Sequence, residues 1–81
     1  MLGAELRKAR EAAGLSQEDV AFEAQIDRSY LSLLENDRKS PTIDVLFRIA
    51  DAIGVSLSVL IASVEATRNS KPVHKSQKKR R

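Results

Sequence analysis

Apolar residues recur at spacings of three and four along residues 2 to 64, and apolar and polar residues nowhere alternate as they do in a strand. This spacing collects apolar side chains on one face of a helix. In the first segment, Leu2, Leu6 and Ala9 fall on one such face. Gly14 follows, and glycine favours the left-handed conformation with which many helices end. The pattern predicts an all-α chain whose first helix ends before Gly14.

Capping residues mark the starts of the next two helices. Ser16 is followed three positions later by Asp19, which makes a shorter-armed version of the capping box. A second helix is therefore predicted from Gln17 to Ala24. Asp27 is the predicted N-cap of a third helix, which begins only three or four residues after the second one ends.

The same signals predict two further helices after a turn. Thr42 is the N-cap of the fourth helix, whose continuous apolar face ends at Gly54. Ser56 is the N-cap of the fifth helix. Asp44 and Arg48 are spaced for an ion pair on the outer side of the fourth helix.

The third predicted helix has two different faces. Ile26, Leu31 and Leu34 point towards a core, and the opposite stripe consists of Arg28, Ser29, Ser32, Leu33 and Asn36. Two short helices joined by a short turn, the second with a polar outer face, are typical of a helix-turn-helix. Many small helical bundles also expose a polar helix face, so the pattern alone leaves both interpretations open.

Several separated motifs lie between Leu6 and Ile61. They are LRKAREAAG from Leu6, LSQ at Leu15 to Gln17, Ser-Tyr-Leu in the third helix, Leu34-Glu35, Lys39-Ser40-Pro41 and Ile53-Gly54-Val55-Ser56. Together they closely resemble the phage-repressor and Cro-like (XRE-type) helix-turn-helix family of bacterial regulators. The resemblance implies a five-helix, lambda-repressor-like domain over residues 1–66, whose third helix enters the DNA major groove. The DRSYLSLLE segment looks most like the restriction-modification controller type.

The resemblance also bears on four individual residues. Family members usually carry glycine where this chain has Gln25 and Asp37. If these positions are left-handed, Gln25 costs about 1 kcal/mol or more. By resemblance, Arg10 pairs with Glu35 and ties the first helix to the recognition helix, so Arg10 is not counted as a DNA contact.

The resemblance makes the outer stripe of the third helix a set of candidate base contacts. Arg28 is the first candidate for a base contact, because it could donate two parallel hydrogen bonds to guanine O6 and N7; the alternative is a solvated arginine beside the acidic Asp27. Ser29 and Ser32 are short enough to let the helix approach the base edges, and their hydroxyls discriminate poorly between bases. Leu33 could contact a thymine methyl group, or it could cover Tyr30.

Other residues are expected to contact the DNA backbone. Gln17, in the first turn of the second helix, matches a family position that contacts the backbone and the outer bases. Further phosphate contacts are expected from Tyr30, Asn36, Arg38 and Lys39, although the last two could belong to an ordinary charged turn. Phe22 and Tyr30 lie off the apolar stripes, so we expect them to pack across the junction of helices two and three, with a partner contact as the second interpretation.

Charge is distributed unevenly along the chain. Residues 1 to 66 contain seven basic and eleven acidic residues, a net charge of −4, whereas residues 67 to 81 contain seven basic residues and no acid, a net charge of +7. The body must therefore bind DNA through the placement of its charges. The tail, residues 67–81, is predicted to be disordered. It could be a solubilising terminus, a phosphate-binding arm, or a membrane-surface or localisation signal.

Composition excludes several classes of protein. The 81 residues fit one small domain, without any cysteine for disulfides or zinc and with a single histidine, His74. The longest uncharged stretch, Ala52 to Val64, is too short to cross a bilayer, which needs about 20 residues. We therefore expect a cytoplasmic, nucleoid-associated protein with no cofactor, metal, membrane partner or small-molecule effector. Enzyme activity ranks last, because the chain lacks paired carboxylates, a phosphate loop and a nucleophile with a base.

The function predicted from these features is sequence-specific transcriptional regulation. One domain covers only half a site, so we expect a homodimer on a short inverted repeat of double-stranded DNA. Helix five is the expected dimer interface because its apolar residues exceed what one neighbouring helix can bury; they are Leu57, Val59, Leu60, Ile61 and Val64. The alternative is an antitoxin or other protein-interaction module whose DNA binding is autoregulatory.

Overall fold

The computed structural model describes residues 1–68, and every regular element in that range is a helix. The helices are α1 Leu2–Ala12, α2 Gln17–Ala24, α3 Arg28–Glu35, α4 Ile43–Ile53 and α5 Leu57–Arg68. The prediction of an all-α, five-helix chain is confirmed. Helix α5 runs two residues past the predicted domain boundary at residue 66. The predicted disorder of the tail concerns residues 69–81, which lie outside the described residues.

Side-chain caps start three of the helices at the predicted residues. Ser16 and Asp19 form the reciprocal capping box at the start of α2. Thr42 Oγ1 accepts a hydrogen bond from the Val45 amide at 3.1 Å, and Ser56 Oγ accepts one from the Val59 amide at 3.2 Å. The predicted cap at Asp27 is only partly right. Its backbone is extended as in an N-cap, but its side chain makes no capping hydrogen bond.

Two residues other than glycine adopt the left-handed conformation. Gln25 ends α2 with φ 59°, and Asp37 follows α3 with φ 57°. These are the positions where the resemblance leads us to expect glycine, and each non-glycine residue costs about 1 to 2 kcal/mol there. Asp37 has a compensating role, because its carboxylate accepts a hydrogen bond from the Gly3 amide at 2.9 Å. Asp37 therefore caps α1, whose own N-cap Met1 has no side-chain cap.

The core lies between all five helices. Its fully buried large side chains are Leu6, Val20, Leu31, Leu34 and Ile49. Leu60 of α5 also belongs to this core and is only 2% exposed. The expectation that Leu60 lies at a dimer interface is therefore wrong, because the side chain is already covered by its own chain.

Gly3 lets α1 approach α3 closely. A Cβ atom at this position would lie 2.4 Å from the carbonyl oxygen of Glu35 and 2.6 Å from that of Leu34. No side chain fits in this space, so glycine sets the distance between the two helices. Together with the Asp37 cap, this contact attaches the beginning of α1 to the end of α3.

Arg48 of α4 stabilises the turn between α2 and α3 through hydrogen bonds to its backbone. Its Nε donates to the carbonyl oxygen of Ala24 and its Nη2 to that of Gln25, both at 3.0 Å. These are carbonyls at the C-terminal end of α2, where a cation is favoured. The predicted pair with Asp44 is also present, at 3.3 Å between Nη1 and Oδ2. The sequence spacing indicated only that weaker, exposed contact.

Within residues 1–68, no single helix is long and apolar enough to cross a membrane. Helices α4 and α5 reach that length and apolar character only together, and they are bent against each other by 107°. Ile49, Ala50 and Ile53 of α4 are buried in the core, so the apolar character of this helix is explained by packing.

Candidate nucleic-acid interface

The outer face of α3 is open along its length. Arg28, Ser29 and Asn36 are exposed, Ser32 is half-buried, and Leu33 is 37% exposed. The opposite face, with Leu31 and Leu34, is buried in the core. The structure thus brings the five predicted stripe residues onto one accessible surface, which we call the α3 outer face. A helix of this diameter fits the major groove of B-DNA, about 12 Å wide.

The side chain of the arginine that begins the α3 outer face has no partner within residues 1–68. Among the described residues, the Arg28 guanidinium makes neither a hydrogen bond nor an ion pair, and it does not pair with Asp27. Its five donors are therefore available to a ligand. Asn36, at the other end, is different, because its Nδ2 donates to the carbonyl oxygen of Ser32 at 2.8 Å.

The side-chain amide of Gln17 is held against the protein by a hydrogen bond to Glu35. Its Nε2 donates to Glu35 Oε1 at 3.0 Å, and the side chain is half-buried. This hydrogen bond joins the first turn of α2 to the last residue of α3. The carbonyl oxygen of Gln17 and the backbone amides of the first turn are the groups that remain for a contact with DNA. Glu18 and Asp19, both exposed, add negative charge to the same turn.

A buried ion pair between Arg10 of α1 and Glu35 of α3 stabilises this junction. Glu35 Oε2 lies 2.7 Å from Arg10 Nε, and Glu35 Oε1 lies 3.0 Å from Arg10 Nη2, so the pair is bidentate. Arg10 Nη1 also donates to the carbonyl oxygen of Leu15 at 2.9 Å. The pair implied by the family resemblance is therefore present, and Arg10 points away from the α3 outer face.

The charged state of both partners is stabilised. Burial alone would raise the pKa of Glu35, but the hydrogen bonds from Arg10 and Gln17 hold that pKa below its ordinary value. The hydrogen bond from Arg10 to Glu35 raises the pKa of the arginine, although burial works in the opposite direction. The carboxylate of Glu35 therefore stays ionised and keeps α1, α2 and α3 in one arrangement.

The turn after α3 carries two exposed cations, Arg38 and Lys39. Neither side chain forms an ion pair with another described residue. The carboxylate of Asp37, next to them, accepts hydrogen bonds from Gly3 and from the Met1 amino group, and these contacts lower the pKa of Asp37. Because Asp37 is bound to α1, the positive charges of Arg38 and Lys39 are not neutralised by this neighbouring carboxylate.

The two aromatic residues that the sequence could not place differ in the structure. Tyr30 is half-buried and packs against the core. Phe22 is 82% exposed, so the expectation that it packs across the junction of α2 and α3 is wrong. The buried positions of α2 are Val20, Ala21 and Ala24, and Phe22 lies outside this stripe.

The outer side of α5 is apolar at several positions. Val59 is 58% exposed, and Leu57, Ile61 and Val64 are half-buried. An open cavity of about 300 Å³ separates this part of α5 from α1, and Val59, Leu60 and Ala9 are among the residues that line it. Sequence spacing could not separate the core residue Leu60 from its more exposed neighbours.

Two short helices joined by a turn, the second with an open outer face, define a domain of the helix-turn-helix class. Residues 6–60 match the model of the family described as "Helix-turn-helix", and the chain belongs to this family. It is a transcriptional regulator and not an enzyme.

Known proteins of this family match most of the chain. It is 34% identical over 67 residues to the uncharacterized HTH-type transcriptional regulator y4dJ of Sinorhizobium fredii, covering 83% of this chain and 87% of that one. It resembles the restriction-modification controller protein C.AhdI of Aeromonas hydrophila at 34% identity and TM-score 0.71, covering 73% and 89%. It also resembles SinR, a master regulator for biofilm formation solved in complex with DNA, at 29% identity and TM-score 0.70, covering 75% and 98%. The resemblance to controller proteins is confirmed.

Proposed function

We propose that the chain binds a short inverted-repeat DNA operator as a homodimer, with α3 of each subunit in the major groove. The observation that carries this proposal is the α3 outer face, which is accessible and, apart from Leu33, polar, while Leu31, Leu34 and Glu35 of the same helix are buried. Such a protein acts in the cytoplasm, at the nucleoid.

Arg28 is proposed to read sequence. Its guanidinium has no hydrogen-bond or ion-pair partner among the described residues, and it stands in the first turn of α3, the part of a recognition helix that contacts base edges. Two parallel hydrogen bonds to guanine O6 and N7 contribute about 1 to 3 kcal/mol of discrimination. Ser29, Ser32 and Leu33 are proposed to contact neighbouring bases, with Leu33 against a thymine methyl group.

The remaining contacts position the helix on the DNA backbone. Gln17 is proposed to contact an outer base or a phosphate through the groups not used by Glu35. Phosphate contacts are assigned to Tyr30, Asn36, Arg38 and Lys39. Removal of a phosphate contact weakens binding equally on all sequences. Removal of Arg28 should instead change the sequence preference, so an experiment can separate the two roles.

The dimer is proposed to form through α5, with Val59, Leu57, Ile61 and Val64 at the interface. Leu60 is not part of it, because it lies in the core. Two recognition helices about 34 Å apart on one face of the DNA would then contact the two half-sites. Val59 is 58% exposed, so a second copy related by two-fold symmetry can cover it.

Selection of binding sites from random DNA, followed by the same selection with Arg28→Ala, tests the recognition step. We expect an inverted repeat for the native chain and loss of preference at one guanine per half-site in the variant. Lys8→Ala is the matched control, since it also removes one cation but from α1, where Lys8 lies 3.4 Å from Glu5. Equal effects of the two substitutions on every sequence would refute base recognition by Arg28.

Sedimentation equilibrium with Val59→Glu tests the dimer. The native chain is expected to dimerise, and the variant should stay monomeric with an unchanged circular dichroism spectrum, because Val59 is exposed in the single chain. A native chain that remains monomeric at high micromolar concentration, with and without operator DNA, would refute the proposal.

One observation favours a second function, that of an antitoxin or other protein-binding module. Phe22, 82% exposed, offers a large apolar side chain to a protein partner. Copurification of the native chain and of Phe22→Ser from the source organism separates the two functions. A second small protein that is lost only with Phe22→Ser would support the interaction module.

A further inference from the structure

Helix α3 is attached to the rest of the domain differently at its two ends. At its C-terminal end, Glu35 forms the buried bidentate pair with Arg10, at 2.7 and 3.0 Å, and accepts a further hydrogen bond from Gln17. Asp37, just beyond the helix, accepts a hydrogen bond from the Gly3 amide. These contacts join the end of α3 to both α1 and α2, so this end has a fixed position.

The N-terminal end of α3, which carries Arg28, follows an unfavourable turn. Asp27 stands at the N-cap position, but its side chain caps no amide of α3. Gln25, which begins the turn, is left-handed with φ 59°, and this conformation is strained for a residue with a Cβ atom. Relaxation of this angle to a negative φ would change the direction in which the chain enters α3. The position of Arg28 therefore depends on the contacts that stabilise Gln25.

Arg48 of α4 supplies such contacts. Its Nε and Nη2 donate to the carbonyl oxygens of Ala24 and Gln25, both at 3.0 Å, so one planar group fixes two consecutive peptide units. Its remaining nitrogen, Nη1, lies 3.3 Å from Asp44 Oδ2, which restricts the orientation of the guanidinium. The guanidinium of Arg48 thus fixes the backbone three residues before Arg28.

We propose that Arg48 is a positioning residue for DNA recognition, which acts through the turn between α2 and α3 on the guanidinium of Arg28. This inference rests on the proposed function, because it requires Arg28 to contact a base. Arg48 itself is assigned no contact with DNA, since Nε, Nη1 and Nη2 each bind an oxygen of its own chain. Arg48 therefore affects which sequence is preferred and leaves the number of phosphate contacts unchanged.

A bidentate contact with guanine tolerates little displacement. Its hydrogen bonds require donor–acceptor distances of about 2.7 to 3.2 Å. Helix α3 has eight residues and is about 12 Å long, so a rotation of about 10° around its fixed C-terminal end moves Arg28 by about 2 Å. A shift of this size breaks the contact of Arg28, whereas Arg38 and Lys39, close to the fixed end, keep theirs.

Operator affinity of the full-length variant Arg48→Met tests the proposal. The variant keeps a long side chain, and the side chain of Arg48 is 41% exposed, so we expect the core to stay intact. Discrimination at the guanine contacted by Arg28 should fall by at least about 5-fold, the lower end of what one bidentate contact contributes. Affinity for an unrelated duplex should keep its dependence on salt. A slope reduced by about 0.9 would overturn the proposal, because it would show a direct phosphate contact of Arg48.

Two substitutions serve as controls. Arg7→Met makes the same chemical change at an exposed ion pair of α1 and should leave the discrimination unchanged. Asp44→Asn removes the charged partner of Nη1 but leaves both bonds from Arg48 to the carbonyl oxygens, so it should lower the discrimination much less than Arg48→Met. Equal effects of Arg7→Met and Arg48→Met would contradict the proposal.

The substitution Gln25→Gly tests whether Arg48 acts through the turn. Glycine adopts φ 59° without strain, so the turn should keep its conformation when Arg48 is replaced. Gln25→Gly/Arg48→Met should therefore recover most of the discrimination that Arg48→Met loses. Arg48→Lys, which keeps a cation near the same carbonyl oxygens, should retain part of it. A double variant that discriminates as poorly as Arg48→Met would overturn the action through Gln25.

Amide hydrogen exchange of the free protein separates this inference from the proposed function. The amide hydrogen bonds of Ile26 and Leu31 close the turn and the beginning of α3, and in Arg48→Met we expect both amides to exchange faster. The amide of Asn36, at the fixed end, should exchange as in the native chain. Native exchange rates at Ile26 and Leu31 in Arg48→Met would overturn the inference. If the native chain shows no preference for any DNA sequence, the proposed function itself fails, whatever the exchange rates are.

Discussion

Replacing Arg10 by methionine is expected to destabilise the domain strongly. The substitution keeps a long side chain in place but removes both hydrogen bonds to Glu35 and the one to the carbonyl oxygen of Leu15. The carboxylate of Glu35, whose side chain is 3% exposed, would then be buried with Gln17 as its remaining partner. Removal of one partner from a buried pair costs about 3 to 5 kcal/mol.

The expected loss is a large part of the stability of so small a domain. The free energy of unfolding of natural domains is about 5 to 15 kcal/mol in total. For a domain of this size, each kcal/mol lowers the melting temperature by about 4 to 8 °C, so a loss of 3 kcal/mol lowers it by about 12 to 24 °C. The double variant Arg10→Met/Glu35→Leu should recover at least about 2 kcal/mol, because no charge is left buried without its partner.

Urea unfolding followed by circular dichroism measures these differences. The matched control is Arg7→Met, which breaks the exposed pair with Glu11 at 3.3 Å and should cost less than about 0.5 kcal/mol. The reasoning is refuted if Arg10→Met costs no more than Arg7→Met, or if the double variant is as unstable as the sum of its two single substitutions.

Acid should lower the free energy of unfolding because it protonates the carboxylate of Glu35. The pKa of Glu35 is lower in the folded chain than its ordinary value, so near pH 4 the unfolded chain binds more protons and stability rises with pH. The contribution of Glu35 is complete above about pH 4.5 and is lost as the pH falls through the folded pKa. In the double variant, this part of the acid-induced loss should be absent from unfolding curves recorded between pH 2 and pH 6.

Three further substitutions test the packing and the turns. Gly3→Ala should cost about 1 to 3 kcal/mol because the added Cβ collides with the carbonyl oxygen of Glu35, although alanine otherwise favours a helix. Gln25→Gly should stabilise the chain by about 1 kcal/mol, since φ is 59° there; a loss of stability would refute the strain assigned to that turn. Leu60→Ala should cost about 2 to 5 kcal/mol at any protein concentration, whereas Val59→Ala should affect only dimer formation.

Much of the fold follows from local signals in the sequence. Ser16, Thr42 and Ser56 start helices where their side chains accept amide hydrogen bonds, and Gly54 ends α4 in the left-handed conformation. These signals act within three or four residues, so spacing alone reveals them. Asp27 shows the limit of this argument, because a residue of the correct type stands at the cap without making the bond.

The parts that could not be predicted depend on contacts between distant residues. Arg48 bonds to carbonyl oxygens 23 and 24 residues away, and no local pattern distinguishes it from an exposed partner of Asp44. The close approach at Gly3 depends likewise on a neighbouring helix. Phe22 and Leu60 were misplaced because periodicity gives the face of a helix but not which neighbour covers that face.

The contacts of Arg48 have a practical consequence for altering DNA preference. Residues 16 to 37 look like a cassette that could be grafted onto another scaffold, yet the carbonyls that close α2 depend on an arginine outside it. The graft would also leave behind Arg10, the counterion of Glu35, and Gly3, the donor to Asp37. Retargeting is therefore best attempted by exchanging single side chains on the exposed surface of α3, with the whole scaffold kept intact.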